Sequence, residues 1–156
     1  MKITFISVGS IKNACFKDVV AEYLKRIKRY VPVDVEEVKE ERASIKTPKQ
    51  DILRKEGERI LKRLRPGDFN VVLTDRGRML TSNGLAEFIG GFSSTGKKRL
   101  TFVVGGPFGL HGSVYEAADM ELSLSSMTLP HDMARVVLAE QVYRAFTILK
   151  GEPYSH

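Results

Sequence analysis

The sequence predicts an α/β fold: a mostly parallel sheet flanked by helices. Two observations carry that prediction. Strand-like and helix-like segments alternate along the chain, which favours parallel strands joined by helical crossovers. The fourth strand-like run is apolar throughout its middle, as a strand covered on both faces must be. The chain of 156 residues fits one domain spanning 1–156, since a chain of about 150 residues buries roughly 68–70% of its unfolded surface.

The elements follow in order. KITFISVG at 2–9 is rich in β-branched and aromatic residues and ends in Gly9, a buried strand and its turn. Over 13–30, Phe16, Val19, Val20, Tyr23, Leu24 and Ile27 recur at spacings of three and four between lysines and arginines, giving a helix with a basic outer face. VDVEEV at 33–38 is a second strand. EERASIKTPKQ at 40–50 is polar, broken by Pro48, and reads as a mobile loop. The stretch 52–64 is helical again, stopped by RPGD before a third strand, FNVVLTD at 69–75. Thr81, Ser82 or Asn83 caps a helix carrying Leu85, Ala86, Phe88 and Ile89. RLTFVVGG at 99–106 is the fourth strand. A short helical piece over 113–118 leads to ELSLSS at 121–126, and a long helix runs from about 132 to 149.

Composition narrows the function. A net charge of +6, from 25 Lys and Arg against 19 Asp and Glu, favours a polyanionic partner, because each neutralised phosphate releases counterions. No apolar run nears the length needed to span a bilayer, and MKITFISVGS reads as a first strand rather than a signal peptide, so a cytoplasmic location is expected. One cysteine, Cys15, and three scattered histidines give no zinc spacing, and no metal is expected.

Two glycine clusters invite a phosphate or nucleotide reading. GFSSTGKK at 91–98 departs by one residue from a P-loop, with Lys98 where Ser or Thr holds magnesium. It follows a helix and precedes a strand, so no helix N-terminus faces it. Gly96 is better placed just past a helix end, where φ is positive, with Lys97 and Lys98 beside the negative helix terminus. VVGGPFGL at 103–110 has the better context, after a strand and before a helical turn, although its spacing is not G-x-G-x-x-G. On the last helix Leu138, Ala139, Val142, Ala145, Phe146 and Leu149 form one apolar face, with Arg135 in line one turn earlier. A charge there must be paired, exposed past the core, or aimed at an anionic ligand or partner chain. Arg144 projects from a different face, with Val137, Gln141 and Ile148.

VVLTDRGR, FVVGGPFGL, LSLSSMTLPHDMARVVLAEQVYRAF and the terminal GEPYSH together resemble the RlmH family of SPOUT-class RNA methyltransferases, which methylate N3 of a pseudouridine in large-subunit ribosomal RNA. The likeness runs over essentially the whole chain, and the ordered set G-G-P-x-G-L, T-L-P-H and Y-R-A-F is highly specific. It implies a SPOUT fold whose C-terminal segment threads a trefoil knot, a homodimer, and large-subunit rRNA as partner; the small, basic character of the chain, with no added RNA-binding domain, points to an assembled ribosome as the substrate. It further implies an S-adenosylmethionine pocket formed by Leu73, Gly105, Leu124, Ser125, Ser126, Met127, Thr128 and Leu129, acting mostly through their main chains. Arg144, Tyr154 and the tail histidine, His156, are the implied catalytic residues near the target base, with His131 second in line. Many relatives end in Pro-Tyr-His, whereas Ser155 here separates Tyr154 from His156; Thr74 likewise separates Leu73 from Asp75. Two other classes compete: a non-catalytic basic RNA-binding module, supported by Lys25, Arg26, Lys28 and Arg29, and a nucleotide-binding oxidoreductase suggested by the glycine turn.

Overall fold

A computed structural model describes residues 1–154, apart from the side chain of Ser93. Its elements are β1 (Lys2–Val8), α1 (Ala14–Ile27), β2 (Val33–Val38), α2 (Lys49–Leu61), β3 (Phe69–Met79), α3 (Ser82–Gly91), β4 (Arg99–Val104), α4 (Gly112–Glu116), β5 (Met120–Ser123) and α5 (His131–Lys150). The strands form one sheet in the order β2-β1-β4-β3-β5, and every neighbouring pair is parallel. Parallel neighbours require long crossovers, which the alternating sequence supplies.

Successive side chains point to opposite faces of a strand, and both faces are covered. Ile3, Phe5, Leu100 and Phe102 meet Leu85, Ile89, Leu138 and Val142 in the larger core, under α1, α3 and α5. Ile6, Val8, Val72 and Val103 meet Ile60 and Val114 in the smaller core, under α2 and α4. All six residues of β4 are buried, including its first, Arg99. Arg99 Nε donates to Asp68 Oδ2 at 2.6 Å and Nη2 donates to the same oxygen, so the buried cation is paired.

Caps confirm two boundaries. Asn13 Oδ1 accepts from Phe16 N at 3.2 Å ahead of α1, and Thr81 Oγ1 accepts from Gly84 N at 3.0 Å ahead of α3. Gly96 takes φ +72 after a 3-10 turn at Phe92–Thr95, so GFSSTGKK joins a helix to a strand and holds no P-loop. Lys97 does not sit at the helix end as expected: its Nζ reaches Asp68 O and Asp119 Oδ1, each at 2.8 Å. Opposite charge within reach outweighs the weaker pull of a helix terminus.

Three expectations are revised. Helix α2 starts at Lys49 rather than 52, directly after Pro48. Strand β5 ends at Ser123, so Leu124, Ser125 and Ser126 leave the sheet. The segment 40–50, read as mobile, is tied to α2 at its start: Arg59 donates to Lys39 O at 2.8 Å and Glu41 Oε2 at 2.6 Å, and Lys55 to Glu41 Oε1 at 3.1 Å. The Arg59 hydrogen bond, then that from Lys55, holds the Glu41 carboxyl below its usual range. Polar composition signalled a loop but not these pairs, whose partners lie 14 and 18 residues downstream.

Candidate active site

A cavity of about 950 Å³ opens at the carboxyl ends of β3, β4 and β5, where ligands of open α/β sheets bind. One wall is the turn after β4. Gly109 N donates to Gly106 O at 3.0 Å, Pro107 stands at the second turn position, and Gly109 takes φ +88. A Cβ on Gly105 would lie 2.7 Å from Gly109 O, so the chain folds back on itself too closely for any side chain there.

A second wall comes from β3. Leu122 of β5 faces both Leu73 and Arg78, so 74–77 step out of the ladder between them. Glycine is needed at 77 because its Cβ would meet Leu122 N and C at 2.6 Å. Thr74, Asp75 and Arg76 of this excursion reach the cavity wall. The third wall is the segment from Leu124 to Leu129. Ser123 Oγ donates to Ser125 O, and Met127 N to Ser125 Oγ, each at 2.9 Å. Among the described residues the main-chain amides of Ser125, Ser126, Thr128 and Leu129 have no acceptor, leaving them for water or a ligand.

Seven of the eight expected pocket residues therefore share one cavity: Leu73, Gly105, Leu124, Ser125, Met127, Thr128 and Leu129 line it, while Ser126 does not. His131 lines it as well, as the first residue of α5, with Nε2 3.4 Å from Asp132 Oδ1. The volume and mixed lining suit a ligand of cofactor size.

Arg144 and Tyr154 stand elsewhere. Arg144 lies thirteen positions after His131 on α5, about 20 Å along the axis at 1.5 Å per residue. Arg144 Nε and Nη2 donate to Glu140 Oε1 at 2.8 and 2.6 Å, and its guanidinium lies 4.7 Å from the Tyr154 ring centre. Tyr154 Oη is 3.3 Å from Glu140 Oε1 and 3.2 Å from Tyr23 Oη. Burial, followed by the Tyr23 hydrogen bond and the Glu140 charge, pushes the Tyr154 hydroxyl well above the usual tyrosine range. Tyr143 packs edge-on against Tyr154 at 4.7 Å, and Arg26 of α1 lies 5.6 Å from the Tyr143 ring. His156 lies outside the described residues.

Along residues 1–156 the chain matches the family described as "Predicted SPOUT methyltransferase". The chain belongs to the SPOUT methyltransferase family. It is similar to "Ribosomal RNA large subunit methyltransferase H" of Carboxydothermus hydrogenoformans, 43% identical over 157 residues, and to the protein of the same name in Acetivibrio thermocellus, 42% identical over 157 residues; each alignment covers 99% of both chains. Among solved structures it is similar in fold to "a probable methylase family protein from Haemophilus influenzae Rd KW20", with a TM-score of 0.56 and 14% identity, covering 99% of this chain and 70% of that one.

Within this SPOUT chain, Arg135 takes the first of its three expected fates. It is only 7% exposed, and its guanidinium donates to Gly9 O at 3.0 Å and to Val8 O, with Asp132 Oδ1 at 3.9 Å. Burial lowers its affinity for a proton, and Asp132, Glu37 and Glu40 oppose that. It fastens the start of α5 to the end of β1 behind the cavity. Sequence reasoning missed Lys49, Arg76, Phe108 and Tyr115 in the cavity wall. Phe108 alone carried a signal, an aromatic residue inside a glycine turn.

Proposed function

We propose that this SPOUT methyltransferase binds S-adenosylmethionine in the cavity and methylates N3 of a pseudouridine in large-subunit ribosomal RNA. It works as a homodimer in the cytoplasm, with 1–156 as one domain and the ribosomal particle as substrate. The observation that carries the reading is the convergence of seven expected pocket residues, drawn from three separate segments, on one cavity. The names of the relatives support the RNA class. No helix among the described residues is long and apolar enough to cross a membrane.

The residues fit the cofactor. Leu73, Leu124 and Leu129 offer apolar walls for an adenine, the unpaired amides between Ser125 and Leu129 offer donors, and the bare Gly105 keeps the turn close. S-adenosylmethionine supplies an electrophilic methyl group for in-line displacement. The chain has to orient the base nitrogen and take up its proton. The Arg144 guanidinium, fixed by Glu140, supplies positive charge to the imide as it ionises. Tyr154, held protonated by its surroundings, serves as a hydrogen-bond donor at neutral pH rather than a base. His131 at the cavity and His156 of the tail are the candidates for the proton.

The distance between Arg144 and its own cavity supports assembly from two chains. On α1, Val19 is 40% exposed and Phe16 and Val20 are half-buried, an apolar strip that a second copy would cover. Assembly from two copies would let Arg144 and Tyr154 of one chain serve the cavity of the other. The trefoil threading belongs to the same proposal and rests on the family match over residues 1–156.

Parallel calorimetric titrations with S-adenosylmethionine and NAD test the reading. Selective binding of the former, followed by methylation of ribosomal particles or naked rRNA, is expected. Selective NAD binding would favour an oxidoreductase, and RNA binding without methyl transfer a non-catalytic module.

A further inference from the structure

The side chains that give the cavity mouth its character are Lys49, Arg76, Phe108 and Met127, of which only Met127 belongs to the expected pocket. Phe108 is 40% exposed at the tip of the Gly106–Gly109 turn, so a large part of an aromatic ring is left facing solvent there. The turn that presents it is rigid: it is closed by the Gly109 to Gly106 hydrogen bond and braced from behind by the close approach at Gly105. Lys49 Nζ lies 5.9 Å from the centre of the Phe108 ring.

Lys49 occupies the first position of α2, where the helix dipole disfavours a cation. Among the described residues neither Lys49 nor Arg76 is ion-paired. Asp75 and Glu121 also line the cavity, so the mouth is not a diffuse positive patch. What it holds is a rigid exposed ring with one free cation against it and a second on the excursion from β3. A flat ring beside free cations suits a nucleotide in single-stranded RNA, whose base stacks while its phosphates meet the charges.

We propose that Phe108 and Lys49 form a stacking and phosphate-binding step on the rim of the cavity, which holds a nucleotide of the ribosomal RNA next to the one being methylated. Arg76 holds the strand from the opposite wall. The step belongs to the turn of the cavity itself rather than to the Arg144 and Tyr154 cluster. It rests on the methyltransferase reading above.

The test compares wild type with Phe108→Ala, Phe108→Tyr and Lys49→Ala in three readouts: S-adenosylmethionine affinity by calorimetry, binding to undermodified large ribosomal subunits by co-sedimentation across a salt series, and steady-state methyl transfer to those subunits. Phe108→Ala is expected to raise the Kd and KM for the particle by about five- to 150-fold, the range of one lost base–aromatic stack, with cofactor affinity and kcat unchanged. Phe108→Tyr should restore both, since any flat ring stacks. Lys49→Ala should weaken particle binding and reduce the salt slope by about one phosphate contact. An unchanged KM and Kd in Phe108→Ala, a loss in Phe108→Tyr as large as in Phe108→Ala, or a loss of cofactor affinity would each overturn the step. If wild type binds particles but transfers no methyl group, the reaction reading fails while the binding series still decides the step. If wild type does not bind particles at all, both fall.

Discussion

Replacing Gly105 tests how the turn shapes the cavity. In Gly105→Ala the new Cβ would lie 2.7 Å from Gly109 O and 2.9 Å from both Gly109 C and Leu110 Cγ. A carbon settles against a carbonyl oxygen at about 3.3–3.6 Å, so the turn must retreat by at least about 0.6 Å. What it meets first is backbone, closed by the 3.0 Å bond from Gly109 N to Gly106 O, and cannot swing aside as a side chain would. Forcing a methyl group into such a site costs about 1–3 kcal/mol, and the retreat displaces the cavity wall with it. The expectation is a urea midpoint lowered by that free energy divided by an unchanged slope, with S-adenosylmethionine binding weakened for Ala and lost for the bulkier Val. Gly91→Ala is the control: nothing lies within 4 Å of its Cβ and its φ is −72, so stability should hold or rise by up to about 1 kcal/mol. If Gly105→Ala matched wild type in midpoint and cofactor affinity, the turn would be yielding freely and would not shape the site.

Arg144→Ala is expected to leave cofactor affinity intact and to slow methyl transfer by about 10²-fold, the scale of one lost charge-stabilising donor; normal turnover would remove Arg144 from the site. Arg135→Met keeps the stem but strands Val8 O and Gly9 O, and urea unfolding should register a loss of about 2–4 kcal/mol. A loss below about 0.5 kcal/mol would show that water satisfies both carbonyls. Glu56 is 3% exposed, and burial raises its carboxyl pKa, against the opposing pull of the Glu41 amide, which donates to Oε1 at 2.9 Å. Its contribution to stability is therefore full below about pH 4.3, the unfolded value, and is lost as pH rises through the folded one. Glu41, whose pKa is lowered, works in the opposite sense, losing its contribution as pH falls. Glu56→Gln cannot ionise, so its urea midpoint should gain on wild type between pH 4 and pH 8; parallel profiles would contradict the assignment.

The alternating segments, the four strands through β4, a cap at 81–83 and the positive φ of Gly96 were legible because each rests on local chemistry: side-chain period, a short polar cap, a residue free to take positive φ. The rejection of GFSSTGKK as a P-loop was local too, since it needed only the order of helix and strand. The pocket residues came from a different kind of legibility, a whole-chain resemblance, and the cavity wall contains all of them except Ser126. Where local rules ended, contacts between distant segments decided. That Arg135 serves the carbonyls of Val8 and Gly9 at the end of β1, some 126 residues away, cannot be read from its place on an apolar face. Nor can the step of 74–77 out of the sheet around Leu122, the use of Lys97 as a bridge to Asp119, or the meeting of Lys49 with Phe108. The sequence by itself determined the layers and the chemical inventory of the site, because secondary structure follows from neighbours along the chain. Only the tertiary structure decided which of those groups meet at the carboxyl edge of the sheet, and that Arg144 stands about 20 Å along α5 from the cavity, because those distances depend on how whole elements pack.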